Sequence, residues 1–292
     1  MPLEVTLTGS YPAPLNRPVT DEDIRQAVRD QTQAGMTVLV DGQLRADIAG
    51  LFAPVVAPGD SVALPLKVTG KIKPLHSGIT VDDYKIAKIE AGKRQVKAHL
   101  TGPTFLAENC RINDALYQGP TDSALIYDIA EALAAEAQFL CAAGATIIQI
   151  DEPTLAYGPD VKVALKALEI IVRKIPFSIL HTCGDVTDIF QQLLDAPVQV
   201  LNVEWEHLRG LDWANCRLLE NHEKKIALGC LAVDTDTIES LPRIRQIVMT
   251  AVNRFGDCLW GLTPNCGLRL STRDLAMRRM QILVQAAKDA QL

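Results

Sequence analysis

Eight short runs rich in Val, Ile, Leu and Thr recur along the chain, each closed by a small or polar residue. Residues 5–8 run into Gly9-Ser10, 37–40 into Asp41-Gly42 and 96–100 into Thr101-Gly102-Pro103. Residues 146–150 run into Asp151-Glu152-Pro153, 177–180 into His181 and 198–203 into Glu204. The last two, 225–228 and 258–262, stop at Gly229 and near Asn265-Cys266-Gly267. Runs of this length and composition read as strands. Between them the apolar spacing lengthens to that of amphipathic helices, over 21–33, 81–93, 123–143, 161–174, 238–255 and 272–290. Thr20 with Asp23, and Ser271 with Asp274, have the spacing of helix caps, and Gly144 suits a helix end.

Eight strands alternating with helices over about 250 residues predict an α/β fold, a single (β/α)8 TIM barrel, with 1–292 as one domain. One segment departs from the repeat. Residues 64–72, between the second and third strands, read as an elaborated hairpin arm. Such a loop is expected to shape the barrel mouth, although its polar tip near His76-Ser77-Gly78 also suits plain solvation. An open doubly wound sheet is the competing architecture. Its Gly-x-Gly-x-x-Gly phosphate turn is missing, as are a P-loop and a Gly-x-Ser-x-Gly elbow.

Composition narrows the function classes. Of 292 residues, 48% are hydrophobic and 22% charged, an ordinary globular balance. The net charge of -6, without a basic cluster, argues against a nucleic-acid partner. No apolar stretch is long enough to cross a bilayer, and Met1 to Thr6 lack the pattern of a signal peptide. Seven cysteines are scattered without a disulfide framework, which predicts a reducing, cytoplasmic setting. Cys141 reads as core, and Cys110, Cys216, Cys230 and Cys258 suggest no role.

The chemistry gathers at the predicted strand ends, where barrels of this type place their active sites. Ser10, Asp41, Asp151, Glu152, His181, Cys183, Glu204 and Cys266 all fall there. His181 and Cys183 are two positions apart and can face one side of a strand. Plain packing also produces such pairs. Glu204 and Cys266 extend the set to four residues whose donor atoms suit one zinc ion. Glu204, ending an apolar run, is expected to be a buried charge that a metal would compensate. Asp151 and Glu152 before a proline have a plainer reading as strand closers.

Several segments, in order and over nearly the whole chain, resemble the catalytic C-terminal half of cobalamin-independent methionine synthase. They are Thr8-Gly9-Ser10-Tyr11-Pro12, Val38-Leu39-Val40-Asp41-Gly42, Gln149-Ile150-Asp151-Glu152-Pro153, His181-Thr182-Cys183, the strand ending at Glu204, and Asn265-Cys266-Gly267-Leu268. The resemblance implies a zinc-dependent homocysteine S-methyltransferase of a stand-alone core type. It implies zinc held by His181, Cys183, Glu204 and Cys266, with homocysteine thiolate as the incoming ligand. It also implies that Asp151 binds the amino group of homocysteine and Ser10 its carboxylate. The family pattern has glutamate where this chain has Gln43, which removes one negative charge from the amine pocket.

The methyl donor follows from what the chain lacks relative to that pattern. Full-length members carry a second, N-terminal half that helps to bind methyltetrahydrofolate, and no tryptophan-rich wall follows the third strand here. A tertiary amine must be protonated as it leaves, whereas a methylcorrinoid leaves as cobalt(I) without a proton. The expected donor is therefore methylcobalamin or a methylated corrinoid protein, with methyltetrahydrofolate as the alternative. Alkyl transfer to coenzyme M is a rival, but a sulfonate substrate would waste an acidic pocket. A zinc-stabilised binding module is the non-enzymatic rival. Structural zinc usually takes its ligands from short local motifs, and these four span residues 181 to 266. A uroporphyrinogen decarboxylase-like enzyme would need cationic strand ends, and these are acidic.

Overall fold

The computed structural model describes residues 3–57, 64–112 and 115–290. Among the described residues, ten strands form: β1 (Glu4–Val5), β2 (Val38–Leu39), β3 (Leu66–Val68), β4 (Gln95–Thr101), β5 (Cys110–Ile112), β6 (Ile147–Asp151), β7 (Phe177–His181), β8 (Val200–Glu204), β9 (Lys225–Gly229) and β10 (Leu259–Thr263). Eight of them make one parallel sheet in the order β1-β10-β9-β8-β7-β6-β4-β2. The seam between β1 and β2 is drawn together by Thr37. Its amide donates to the Val5 carbonyl at 3.0 Å, and its hydroxyl accepts from the Val5 amide at 2.8 Å. The result is the expected eight-stranded α/β barrel.

Strand alternation divides the barrel into an outer apolar layer and an inner column. Ile148, Ile150, Leu180, Leu201 and Val203 join the large core shared with the helices. Their alternates Val38, Ile147, Ile179, Val200 and Ala227 form a separate apolar plug. Further along the same inward positions come Gln149 and Asp151 on β6, His181 on β7, and Asn202 and Glu204 on β8. The barrel interior is thus apolar toward the strand N-termini and polar toward the C-termini. Period-two alternation makes the second follow from the first, because inward positions recur every other residue.

The helices match the sequence reading to within a few residues. Asp21–Ala34, Ser123–Ala142 and Val161–Val172 start where expected. The Asp23 carboxylate accepts from the Thr20 amide and hydroxyl at 2.8 Å each, as the cap spacing requires. Leu241–Phe255 begins three residues later than expected, with Pro242 in its first turn, where a missing amide hydrogen costs nothing. The cap of Arg273–Asp289 is Thr272, one residue after the expected Ser271, and its hydroxyl accepts from the Leu275 amide.

The arm after β2 is not a hairpin. β3 pairs in parallel with β5, with Leu66 opposite Cys110 and Val68 opposite Ile112. A hairpin joins neighbouring antiparallel strands through a tight turn. Here the partner arrives only after the helix Val81–Ala91, β4 and the helix Pro103–Glu108. The pair therefore ties together two loops from the C-terminal side of the barrel. Glu136, fully buried on helix Ser123–Ala142, anchors the return by accepting from the Ile79 and Thr80 amides and the Thr80 hydroxyl.

Candidate active site

His181, Cys183 and Cys266 converge at the C-terminal mouth. Nε2 of His181 lies 3.2 Å from Sγ of Cys183, and that sulfur lies 3.4 Å from Sγ of Cys266. One ligating atom from each of the three lies within 4.8 Å of the others. An imidazole nitrogen and two thiols are a donor set that zinc prefers, and two sulfurs on one tetrahedral zinc sit about 3.8 Å apart. A small outward shift of either thiol would seat the ion.

The cluster already favours a thiolate. The hydrogen bond from Cys183 pulls the Cys266 thiol well below its ordinary value against its burial, and contacts with His181 and the Gly267 amide act in the same direction. Cys183 moves the opposite way, chiefly through that same bond and through burial. Metal binding at such a site replaces a shared proton by a cation.

Glu204 stands beside this trio rather than within it. One carboxylate oxygen accepts from the Gly184 amide at 2.7 Å and the other from Nδ2 of Asn265 at 2.9 Å. Gly184 follows Cys183 and Asn265 precedes Cys266, so Glu204 braces both cysteine-bearing turns. It is only half-buried. Its charge is met by two donors, which removes the expected need for a metal to compensate an isolated buried charge.

The turn itself depends on glycine. Gly184 has φ of +76°, and a Cβ there would lie 1.4 Å from the Tyr157 hydroxyl oxygen. Gly184→Ala should cost about 1–2 kcal/mol from the left-handed backbone alone, with more from displacing Tyr157. Urea unfolding measures the loss, and an unchanged midpoint would contradict this account of the turn.

A buried polar chain on β4 and β6 lies beside the end of β7. Asp151 is opposite His181 in the β6–β7 register. Its Oδ1 accepts from Nε2 of Gln149 at 2.6 Å, while Oε1 of Gln149 accepts from Nζ of Lys97 at 2.5 Å. Lys97 also donates to the Leu7 carbonyl at 2.8 Å. Burial pushes Asp151 up to about 6, opposed by His181, Gln149 and Lys97. Burial likewise lowers Lys97 to about 7, with Asp151 pulling the other way. Nε2 of His99 meets the Thr8 carbonyl at 2.8 Å, and its Nδ1 is buried without a partner among the described residues.

Sequence reasoning passed over Lys97, His99 and Gln149. The signal was present, since Lys97, His99 and Thr101 occupy alternate positions in a strand whose other face is Val96, Ala98 and Leu100. A buried lysine inside an apolar strand needs partners, and these are Gln149 on neighbouring β6 and the Leu7 carbonyl just after β1.

Ser10 and Gln43 complete the mouth. The Ser10 carbonyl accepts from the Leu268 amide at 2.8 Å, and its hydroxyl crowds Gly267, where a Cβ would lie 2.1 Å away. The first and last barrel loops therefore meet beside Cys266. Gln43 is buried at φ of +48°, its amide donating to Asp41 at 3.0 Å. Its Oε1 sits where a Cβ on Gly9 would be 2.5 Å away, so glycine at position 9 makes its room. Its Nε2 has no partner among the described residues.

The two adjacent acids of Asp151-Glu152 separate. Glu152 is fully buried and accepts from the Thr104 and Phe105 amides at 2.9 Å each and from the Thr104 hydroxyl. It caps helix Pro103–Glu108 and takes no part in the mouth. Asp41 likewise serves its own turn through the Gln43 amide.

Residues 8–289 match the family model described as the catalytic domain of cobalamin-independent synthase. The chain belongs to the cobalamin-independent methionine synthase family. It is 30% identical to the methionine synthase of Methanothermobacter marburgensis over 97% of this chain and 99% of that protein. It is 32% identical to that of Methanocaldococcus jannaschii, over 91% of this chain and 87% of the relative. Its fold matches a B12-independent methionine synthase from Shewanella sp. W3-18-1, solved in complex with selenomethionine. The TM-score there is 0.85 at 20% identity, over 100% of this chain and 98% of that one. The protein is thus a methionine synthase-like methyltransferase. No helix among the described residues is long and apolar enough to cross a membrane.

Proposed function

We propose that this barrel transfers a methyl group to the thiolate of homocysteine, giving methionine, with zinc held by His181, Cys183 and Cys266 and Glu204 as a fourth, exchangeable ligand. The observation that carries this reading is the convergence of one nitrogen and two sulfurs within 4.8 Å at the barrel mouth. When bound, the metal supplies the positive charge that keeps a substrate thiol deprotonated at neutral pH. The remaining work falls to the chain. Cys183 and Cys266 contribute negative charge that keeps a neighbouring sulfur electron-rich. Asp151, held by Gln149 and Lys97, offers a carboxylate to the substrate ammonium. The Ser10 hydroxyl, wedged against Gly267, faces the same region and suits the substrate carboxylate. In the reaction the sulfur attacks the methyl carbon, one S–C bond forms, and the bond from methyl to its carrier breaks with the electron pair leaving on the carrier. To join the metal, the Glu204 carboxylate would have to give up its hydrogen bonds from the Gly184 amide and Asn265 Nδ2.

The proposed donor is methylcobalamin or a methylated corrinoid protein, used as a substrate and released, not a resident cofactor. A corrinoid carrier departs without a proton, so the mouth needs no acid aimed at a leaving nitrogen. The Methanothermobacter marburgensis protein, matched over 99% of its length, is itself named a methionine synthase. A donor screen on zinc-loaded protein tests the assignment. Methionine should form from methylcobalamin and homocysteine without folate. Turnover with methyltetrahydrofolate and none with methylcobalamin would overturn the donor while leaving the thiol-methylation reading intact.

A further inference from the structure

A second pair of cysteines lies at the opposite end of the barrel. Cys216 opens helix Cys216–Asn221, which leads into β9, and Cys258 closes the turn Gly256–Cys258, which leads into β10. Both therefore sit at the N-terminal face, away from His181, Cys183 and Cys266. Their sulfurs are 2.9 Å apart, closer than the 3.4 Å between Cys183 and Cys266. Cys216 also points its thiol at a Glu220 carboxylate oxygen 3.6 Å away, and Cys258 points its own at the Cys216 carbonyl at 3.5 Å.

Two chemistries suit such a trio. A shared zinc would hold its two sulfurs about 3.8 Å apart, so this pair would have to open by about 0.9 Å. A disulfide requires about 2.05 Å, so the pair would have to close by a similar distance, starting from a direct sulfur–sulfur contact of 2.9 Å. The one further donor grouped with the pair among the described residues is the exposed Glu220 carboxylate, one ligand short of the four that closed zinc sites take. Access is available: a cleft of about 440 Å³ lined by Glu220, Glu223, Lys224, Lys225, Asp257 and Cys258 opens beside the pair.

We propose that Cys216 and Cys258 form a reversible disulfide by exchange with a low-molecular-weight disulfide such as oxidised glutathione. Half-exposed Cys216 attacks first. Its proton passes to Glu220 as its sulfur bonds to one sulfur of the oxidant; the oxidant's S–S bond breaks, and one small thiolate leaves and takes up that proton. Cys258 then attacks Cys216 Sγ, releasing the second small thiol with its own proton. Two protein thiols are oxidised and one small disulfide is reduced to two thiols. The new bond ties together segments 42 residues apart and fixes the entry of both β9 and β10.

The test uses folded, zinc-loaded protein equilibrated over a range of oxidised-to-reduced glutathione ratios, quenched by alkylation and mapped by peptide mass spectrometry. A peptide linking Cys216 to Cys258 should appear first, lighter than its reduced parts by two hydrogens. The free thiol count in denaturant should fall by two from the seven of the chain. Cys258→Ala should stop at a mixed disulfide on Cys216, and Cys216→Ser should give neither product, both with unchanged circular dichroism. Protein stripped of zinc should give the same link, so failure of the zinc reading would not imitate failure here. Full alkylation of both thiols under conditions that oxidise another pair would overturn the proposal. So would a second equivalent of zinc that disappears in Cys216→Ser.

Discussion

Replacing Cys266 by serine should lower turnover about 3 × 10³-fold and leave the barrel folded. At pH 7 a thiol of ordinary pKa is only about 3% ionised, so losing the deprotonated state alone costs about thirtyfold. Loss of the position of the reacting sulfur costs about another 10². The product of the two is the expected effect. The fold should survive because Cys266 is half-buried in the loop after β10 and belongs to neither apolar cluster. Steady-state kinetics with homocysteine, metal analysis and circular dichroism check the three parts together. A variant that keeps its zinc and loses less than twofold in kcat would contradict the assignment.

Glu152→Ala and Asp151→Asn should fail in opposite ways although the residues are adjacent. Glu152 satisfies two amides and a hydroxyl in a fully buried pocket. Removing it leaves three donors without an acceptor, for a loss of about 3–5 kcal/mol in unfolding free energy. Gly102 belongs to the same construction, since a Cβ there would lie 2.1 Å from the Glu152 carboxyl carbon. Asp151→Asn keeps the shape and the hydrogen bond from Gln149 while deleting the charge. A hydrogen bond to a charged group is worth about 1.5–3 kcal/mol, so KM for homocysteine should rise about 10- to 100-fold with stability nearly unchanged. Urea titration and steady-state kinetics on both variants separate the roles. A stable Glu152→Ala, or an Asp151→Asn with unaltered KM, would reverse them.

That contrast shows what the chain made legible. Strand ends could be read because apolar runs stop abruptly at polar residues, and the barrel places all such stops on one face. His181, Cys183 and Cys266 followed from that rule and from their donor chemistry. Which of two adjacent acids points inward could not be read from the Asp-Glu-Pro motif. It depends on the phase of β6, which brings Asp151 level with His181 and sends Glu152 to the start of helix Pro103–Glu108. Glu204 posed a related difficulty. Its type suits a metal, yet its hydrogen bonds go to residues flanking two cysteines, and those partners lie 20 and 61 positions away. The arm failed for a different reason. A strand reveals its own propensity but not its partner, and β3 finds β5 only after a barrel strand and two helices intervene. Cys216 and Cys258 gave no signal at all, because only the folded barrel brings them together.

The central claim is that one imidazole and two thiolates share a single cation at the mouth. X-ray absorption at the zinc edge on purified, zinc-loaded protein tests it most directly. The account predicts one zinc per chain with two sulfur neighbours at about 2.3 Å, falling to one sulfur in Cys183→Ser. A zinc shell without sulfur, or one unchanged by that substitution, would contradict it.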